Sequence, residues 1–173
     1  PDAVLDQSVP NIAESAFGNA GQRCLAGSVL TLVGEARERM LPRLLEHADT
    51  IKMGFGLDAG VSLGPVIRGE ARERIHTLVD QGVAAGAKML RDGRGTGPEK
   101  GYFVGPTLLE IAPTSPLARE EVFGPVLSIL YAKDLDEALR LMAETNEYGN
   151  AASIYTASGS AAREFKRKAT SGM

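Results

Sequence analysis

The 173-residue chain is 43% hydrophobic and 24% charged, the balance of a folded domain rather than a disordered segment. A formal net charge of -3 gives no electrostatic reason to expect nucleic acid, and no apolar run approaches the roughly 20 residues that a membrane-spanning helix needs. One cysteine excludes an internal disulfide, and together with two histidines it cannot form a zinc cage. We therefore expect no metal, no membrane partner and a reducing, cytoplasmic compartment.

The predicted elements begin with a helix over residues 3–17, which Gly18-Asn19-Ala20-Gly21 interrupts. The apolar, partly β-branched run Val29 to Val33 predicts a strand buried on both faces. A helix follows, and Pro42 fits best in its first turn, where a missing N–H costs little. A Gly-rich connection then leads to a helix over residues 68–85, whose apolar positions recur with helical spacing.

Short apolar runs in the rest of the chain predict four more strands, at residues 88–90, 107–111, 126–131 and 151–156. Asp134 and Glu137 form a capping-box pattern before one helix, and Ser158 is a cap for the last one. Strands that alternate with helices are typical of an α/β domain with a mostly parallel sheet and flanking helices. Such domains carry their chemistry in the loops at the strand ends.

Cys24 is the first residue that could carry chemistry, because it lies in a glycine-flanked turn before a predicted buried strand. Gly21 and Gly27 let backbone amides approach a bound carbonyl, and Arg23 adds positive charge that could favour the thiolate. A thiolate in such a turn can attack a carbonyl while nearby N–H groups stabilise the oxyanion. The competing interpretation is the commonest role of a lone cysteine, a small buried hydrophobic residue.

The second candidate is the segment Arg119 to Val126, where two acids precede an aromatic-Gly-Pro turn. A carboxylate here could accept hydrogen bonds from a sugar diol, as in dinucleotide sites, while the aromatic ring packs on a flat cofactor ring. By composition alone, a solvated start of a strand is the stronger interpretation.

Together the two segments resemble the aldehyde dehydrogenase superfamily. Gly21-Gln22-Arg23-Cys24 is similar to its cysteine signature, and Glu120-Glu121-Val122-Phe123-Gly124-Pro125-Val126 to its cofactor-facing signature. Gly101-Tyr102-Phe103-Val104-Gly105-Pro106-Thr107 and Tyr148-Gly149-Asn150-Ala151-Ala152 also look like the family. The resemblance covers essentially the whole chain, and four motifs in the right order are far more specific than any one of them.

The resemblance implies a role for three residues. Cys24 would add to a small-molecule aldehyde as a thiohemiacetal, lose hydride to NAD or NADP, and remain as a thioester. The backbone N–H of Cys24 would supply half of the oxyanion hole. Glu121 would bind the hydroxyls of the nicotinamide ribose, and Phe123 would pack beside the nicotinamide ring.

The resemblance also implies that residues 1–173 are the cysteine-bearing catalytic domain of a longer protein, cut at both ends. The Rossmann-type cofactor domain would then lie outside this chain, the parent protein would be a homo-oligomer, and the segment alone would turn over no aldehyde.

The branch within the superfamily is indicated by three features. Arg23, Val61-Ser62-Leu63-Gly64-Pro65-Val66-Ile67 and Tyr148-Gly149-Asn150 look most like methylmalonate-semialdehyde dehydrogenases, in which coenzyme A accepts the acyl group and gives an acyl-CoA. The alternative is a hydrolytic aldehyde dehydrogenase, which releases a carboxylic acid.

Two alternatives lie outside the superfamily. A thiol redox or acyl-carrier module would use Cys24 without any dinucleotide, but it would give Glu121 and Phe123 no role. A purely structural or assembly domain would give a role to none of the three.

Overall fold

The computed structural model describes residues 1–145 and 147–173. The strands are β1 (Val29–Val33), β2 (Lys88–Arg91), β3 (Thr107–Glu110) and β4 (Val126–Ala132). The helices are α1 (Leu5–Phe17), α2 (Ala36–Thr50), α3 (Gly69–Ala84), α4 (Pro116–Arg119), α5 (Leu135–Thr145) and α6 (Gly159–Lys168), and a 3-10 segment, Gly18–Gly21, follows α1. In the described ranges, every helix is too short or too polar to cross a bilayer.

The four strands form one sheet in the order β1-β4-β3-β2. The β1–β4 and β4–β3 pairs are parallel, and only β2 runs antiparallel to its neighbour β3. The predicted α/β fold with a mostly parallel sheet and flanking helices is therefore confirmed. Cys24 and Glu121 lie in the segments that precede β1 and β4. Because these two strands are parallel neighbours, both segments lie at the amino ends of the strands, at the same end of the sheet.

Successive side chains of β4 point to opposite faces of the sheet, and the core is accordingly divided into two layers. Leu127 and Ile129 belong to one hydrophobic cluster, which contains the buried side chains of α1 and α2. Val126 and Leu130 belong to a second cluster, which contains those of α3 and α4. The sheet thus carries α1 and α2 on one face and α3 and α4 on the other.

The opposite edge of the sheet, at the carboxyl ends of β3 and β4, is occupied by a structural network. The Tyr131 hydroxyl donates to Glu110 Oε1 (2.6 Å), Arg37 forms an ion pair with the same carboxylate (3.0 Å), and the Arg37 guanidinium lies 4.4 Å from the Tyr131 ring centroid. Burial, and then the hydrogen bond to Glu110, raise the pKa of Tyr131 above its ordinary value. The two candidate segments thus lie at the amino ends of the parallel strands, and this network lies at their carboxyl ends.

The predicted caps form as expected. Asp134 Oδ1 accepts from Glu137 N (2.9 Å), and Glu137 Oε2 accepts in return from Lys133 N (2.8 Å), which starts α5. Ser158 Oγ accepts from Ala161 N (3.3 Å) at the start of α6.

Two expectations for β1 and α2 are wrong. In β1 only Leu32 is fully buried, because β1 is an edge strand of the described sheet. Pro42 lies inside α2 rather than in its first turn. Its missing N–H leaves the carbonyl of Glu38 without a helical partner, but both residues are exposed, so water can bind this carbonyl.

The expected strand at residues 151–156 is also wrong, since this segment joins no ladder. Among the described residues, its backbone makes one hydrogen bond outside regular structure, from Ala152 N to Met173 O (2.9 Å). A β-like composition predicts extended backbone, but a strand also requires a neighbouring edge with which to pair.

Candidate active site

Cys24 lies in an exposed turn between the 3-10 segment and β1. The turn is closed by a hydrogen bond from Ala26 N to Arg23 O (3.0 Å). In the described chain Cys24 thus lacks the buried position that is commonest for a lone cysteine.

The chain reaches this turn through a strained backbone. Asn19, Ala20 and Gly21 have φ values of 53°, 54° and 66°, so three successive residues are left-handed. This conformation costs a residue with a Cβ about 1–2 kcal/mol, and the hydrogen bond from Asn19 Nδ2 to Gln22 O (3.3 Å) offsets part of it. Strain of this kind persists where the surrounding packing imposes it, as it does around the buried Ala20.

Arg23 anchors the turn to α1. Its Nη2 donates to the carbonyls of Glu14 (2.6 Å) and Ser15 (3.2 Å) in the last turn of that helix, where Glu14 O also accepts from Gly18 N. The guanidinium hydrogen bonds therefore hold the turn in place, and an effect of the Arg23 charge on the thiol stays a prediction.

Two more contacts fix the segment on both sides of Cys24. Before it, Gln22 Oε1 accepts from Ile67 N (2.9 Å), in the connection that precedes α3. After it, Gly27 N donates to the carbonyl and the hydroxyl oxygen of Ser15 (3.1 Å each). The turn is therefore held at both ends, while the thiol itself is exposed.

The second segment is held by α3. Arg74 donates from Nη2 to Glu121 O (2.6 Å) and from Nη1 to Val122 O (2.8 Å). Val122 is buried, whereas the side chains of Glu121 and Phe123 on either side of it are exposed. In the described ranges, the Glu121 carboxylate has neither a hydrogen-bond nor an ion-pair partner, so it is available to a ligand.

Phe123 has a φ of 51°, which is uncommon for a residue with a bulky side chain. The residue is 40% exposed, so burial of its side chain in the described chain does not explain this conformation. The next residue, Gly124, packs tightly on α3, since a Cβ on it would lie 2.5 Å from Ile75 Cδ1.

The two segments touch each other through their glycines. A Cβ on Gly21 would overlap the Gly124 carbonyl and lie 2.8 Å from Pro125 N. Because Gly21 also has a positive φ, only glycine fits this position without strain. The contact joins the segment held by α1 to the segment held by α3.

Cys24, Glu121 and Phe123 line one pocket of about 720 Å³, within the range of small-molecule sites. The lining of this pocket is extensive and reaches from α1 to α6, so the structure places the three candidate residues on one cavity, although they are far apart in the sequence, and their roles there stay predictions.

Sequence reasoning missed two residues that hold this site. Arg74 lies within α3, next to the buried Ile75. Nothing in the local sequence indicates its contact with a segment 47 residues away. Asn150 lies in a motif that carried the resemblance but received no role, and its Nδ2 donates to Cys24 O (2.7 Å) across 126 residues. An asparagine within a glycine turn is a weak signal, because Asn and Gly are both common turn residues.

Comparison with known proteins identifies the family of the chain. The model of the aldehyde dehydrogenase family matches residues 1–173. Malonate-semialdehyde dehydrogenase 2 of Geobacillus thermodenitrificans (strain NG80-2) is 46% identical over 176 residues, which cover 100% of this chain and 36% of that protein. Malonate-semialdehyde dehydrogenase of Listeria monocytogenes serotype 4a (strain HCC23) is 43% identical over 173 residues, which cover 99% of this chain and 35% of that protein.

Solved structures show the same similarity. A methylmalonate-semialdehyde dehydrogenase from Oceanimonas doudoroffii superposes with a TM-score of 0.91 at 34% identity, over 98% of this chain and 36% of that one. Betaine aldehyde dehydrogenase from Staphylococcus aureus, in complex with NAD+, superposes with a TM-score of 0.94 at 28% identity, over 99% of this chain and 35% of that one. The chain spans about a third of the length of the relatives it matches. It belongs to the aldehyde dehydrogenase family.

Proposed function

We propose that this chain is the cysteine-bearing part of an NAD-dependent aldehyde dehydrogenase, with Cys24 as nucleophile. The observation that carries the proposal is the shared pocket, which presents an exposed thiol, an unpaired carboxylate and an exposed aromatic ring. The family match and the NAD+ complex of the similar betaine aldehyde dehydrogenase support it.

The side chains of Glu121 and Phe123 fit the nicotinamide half of such a cofactor. The free carboxylate of Glu121 can accept hydrogen bonds from both hydroxyls of a ribose, and the exposed Phe123 ring offers a flat apolar surface beside it. When bound, NAD+ supplies the acceptor for the hydride that leaves the aldehyde carbon.

Cys24 supplies the covalent chemistry in this proposal. Its thiolate attacks the carbonyl carbon, a C–S bond forms, and the carbonyl electron pair moves to oxygen, where the Cys24 N–H can stabilise the charge. Collapse of this oxyanion, with loss of hydride from carbon, leaves a thioester on Cys24. A second nucleophile then attacks the thioester carbonyl, the C–S bond breaks, and the Cys24 thiolate is regenerated.

The names of the relatives support a semialdehyde of the malonate or methylmalonate type as substrate. We further propose that coenzyme A is the second nucleophile, so that the product is an acyl-CoA; the alternative, water, gives a carboxylic acid. Analysis of the product formed with and without coenzyme A separates the two.

Three broader expectations remain part of the proposal. The dinucleotide-binding domain would lie in another part of a longer enzyme, consistent with the third of the relatives' length that the chain spans. Assembly into a homo-oligomer follows from the family resemblance, and a cytoplasmic location from the cysteine count.

Replacing Glu121 by glutamine in the full-length enzyme tests the cofactor role. The variant keeps the size of the side chain but loses charge-assisted hydrogen bonds to the ribose, so KM for the cofactor should rise about tenfold. Glu120→Gln is the matched control, because Glu120 is the adjacent exposed carboxylate; its KM should stay within about twofold of the wild-type value. An unchanged cofactor KM in Glu121→Gln would favour the thiol module that uses no dinucleotide.

Arg74→Met should weaken cofactor binding without removing any group that touches the cofactor. It breaks the two bonds that hold the Glu121 and Val122 carbonyls, so KM for the cofactor should rise about tenfold. Arg68→Met is the control, because Arg68 immediately precedes the same helix and its side chain makes, among the described residues, only an exposed 3.9 Å ion pair with Glu70. Equal steady-state kinetics in the two variants would show that the Arg74 contacts do not position Glu121.

A further inference from the structure

We propose that Asn150 is a positioning residue for the nucleophile: its side-chain amide fixes the Cys24 carbonyl and thereby orients the Cys24 thiol and N–H toward the pocket. The inference rests on the proposed function, in which Cys24 attacks the aldehyde. It adds a residue that touches neither substrate nor cofactor in that scheme.

The hydrogen bond itself is short and isolated. Asn150 Nδ2 donates to Cys24 O at 2.7 Å, and in the described part of the chain this amide is the only partner of that carbonyl. The bond that closes the turn joins Ala26 N to Arg23 O, and Cys24–Leu25 is the central peptide of that turn, whose carbonyl takes no part in the closing bond. A closing bond of this kind is compatible with two orientations of the central peptide, since type I and type II turns share it. Since Cys24 and Leu25 are both exposed, packing does not fix this peptide either.

Asn150 presents its amide from an anchored loop. Gly172 N donates to Gly149 O (2.9 Å), Met173 N donates to Asn150 O (3.1 Å), and Ala152 N donates to Met173 O (2.9 Å). Backbone bonds on both sides of Asn150 therefore hold the loop. Asn150 and Cys24 also line the same pocket, so the amide acts at the candidate site.

The physical effect acts through the two soft dihedrals of Cys24. A fixed Cys24 carbonyl restricts rotation of the following peptide plane, and so restricts ψ of Cys24. The thiol and the N–H are attached to the same residue, so this restriction limits how far both can turn relative to the pocket. Small misplacements of reacting groups cost up to about 100-fold in rate, which makes one such hydrogen bond consequential.

Asn150→Leu in the full-length enzyme tests the proposal, because leucine keeps a similar volume but cannot donate. We expect kcat to fall about 10- to 100-fold, with KM for the cofactor within about twofold of the wild-type value. The second-order rate constant for alkylation of Cys24 by iodoacetamide, measured without substrate, should change as well, because it reports on the orientation of the thiol. Asn150→Gln retains an amide donor and should keep more of the kcat than Asn150→Leu does.

The matched control is Asn11→Leu, since Asn11 is exposed on α1 and its side chain has no hydrogen-bond partner among the described residues. Thermal unfolding is measured for all variants. A kcat for Asn150→Leu within about twofold of the control overturns the inference. So does a loss of kcat that is matched in Asn150→Gln and accompanied by a lower unfolding temperature, because both then report a structural role.

The failure of this inference can be told apart from failure of the proposed function. If alkylation of Cys24 abolishes turnover and Asn150→Leu is fully active, only the role of Asn150 is wrong. If the enzyme turns over aldehyde with Cys24 alkylated, the nucleophile itself is wrong, and the role of Asn150 fails with it.

Discussion

Cys24→Ser in the full-length enzyme is expected to lower kcat for aldehyde oxidation by roughly 1,000-fold or more, because removal of a covalent nucleophile eliminates the path that it opens. A serine hydroxyl keeps the shape of the side chain but is far less ionised than a thiol near neutral pH. Formation of NADH under saturating aldehyde and cofactor measures the loss.

Cys24 is exposed, so the substitution should leave the free energy of unfolding within about 0.5 kcal/mol of the wild-type value. Cofactor affinity, measured by direct binding, should also be unchanged, since Glu121 and Phe123 remain in place. Full activity in Cys24→Ser would favour a structural or assembly role for this chain.

Gly21→Ala should have the largest effect on stability among the substitutions considered. The new methyl group would overlap the Gly124 carbonyl, and the residue would have to keep a φ of 66°. Overpacking and the left-handed backbone together should lower the free energy of unfolding by about 2–4 kcal/mol. Activity should fall as well, because the contact that joins the Cys24 and Phe123 segments is lost.

Gly60→Ala separates the two contributions. Gly60 has a φ of 77°, but a Cβ placed there meets nothing within 4 Å. In this control the free energy of unfolding should therefore fall only by the cost of the left-handed backbone, about 1–2 kcal/mol. Denaturant unfolding of both variants measures the difference, and equal losses would show that the segments can separate freely.

The parts of the fold that depend on local pattern could be predicted from the sequence. The spacing of Ile75, Leu78 and Val79 predicts the face of α3 that is buried in the structure. Asp134 and Glu137 predict the start of α5, because both partners of a capping box lie within one turn of helix.

The errors occur where the outcome depends on distant partners. Residues 151–156 have a strand-like composition, but no edge of the described sheet pairs with them. Pro42 is tolerated inside α2 because that side of the helix is exposed, which the sequence does not reveal.

The residues of the candidate site also differ in whether they could be predicted from the sequence. Cys24, Glu121 and Phe123 could be named because their motifs are local and resemble a known family. The residues that hold them could not, since the partners of Arg23, Arg74 and Asn150 are chosen by tertiary packing. Arg23 shows the limit most clearly: its position next to Cys24 predicts a charge effect on the thiol, but nothing local indicates that its hydrogen bonds go to α1.

The attachment of the two segments to opposite faces of the sheet has a consequence for how such a site can be modified. The Cys24 segment is held mainly by α1, with one further bond from Ile67 to Gln22, and the Glu121 segment is held by α3. The two segments meet where Gly21 lies against Gly124. Under the proposed function, substitutions at the α1 contacts should therefore act mainly on the reactivity of Cys24, and those at the Arg74 contacts mainly on affinity for the dinucleotide. A substitution at Gly21 or Gly124 would alter both properties at once.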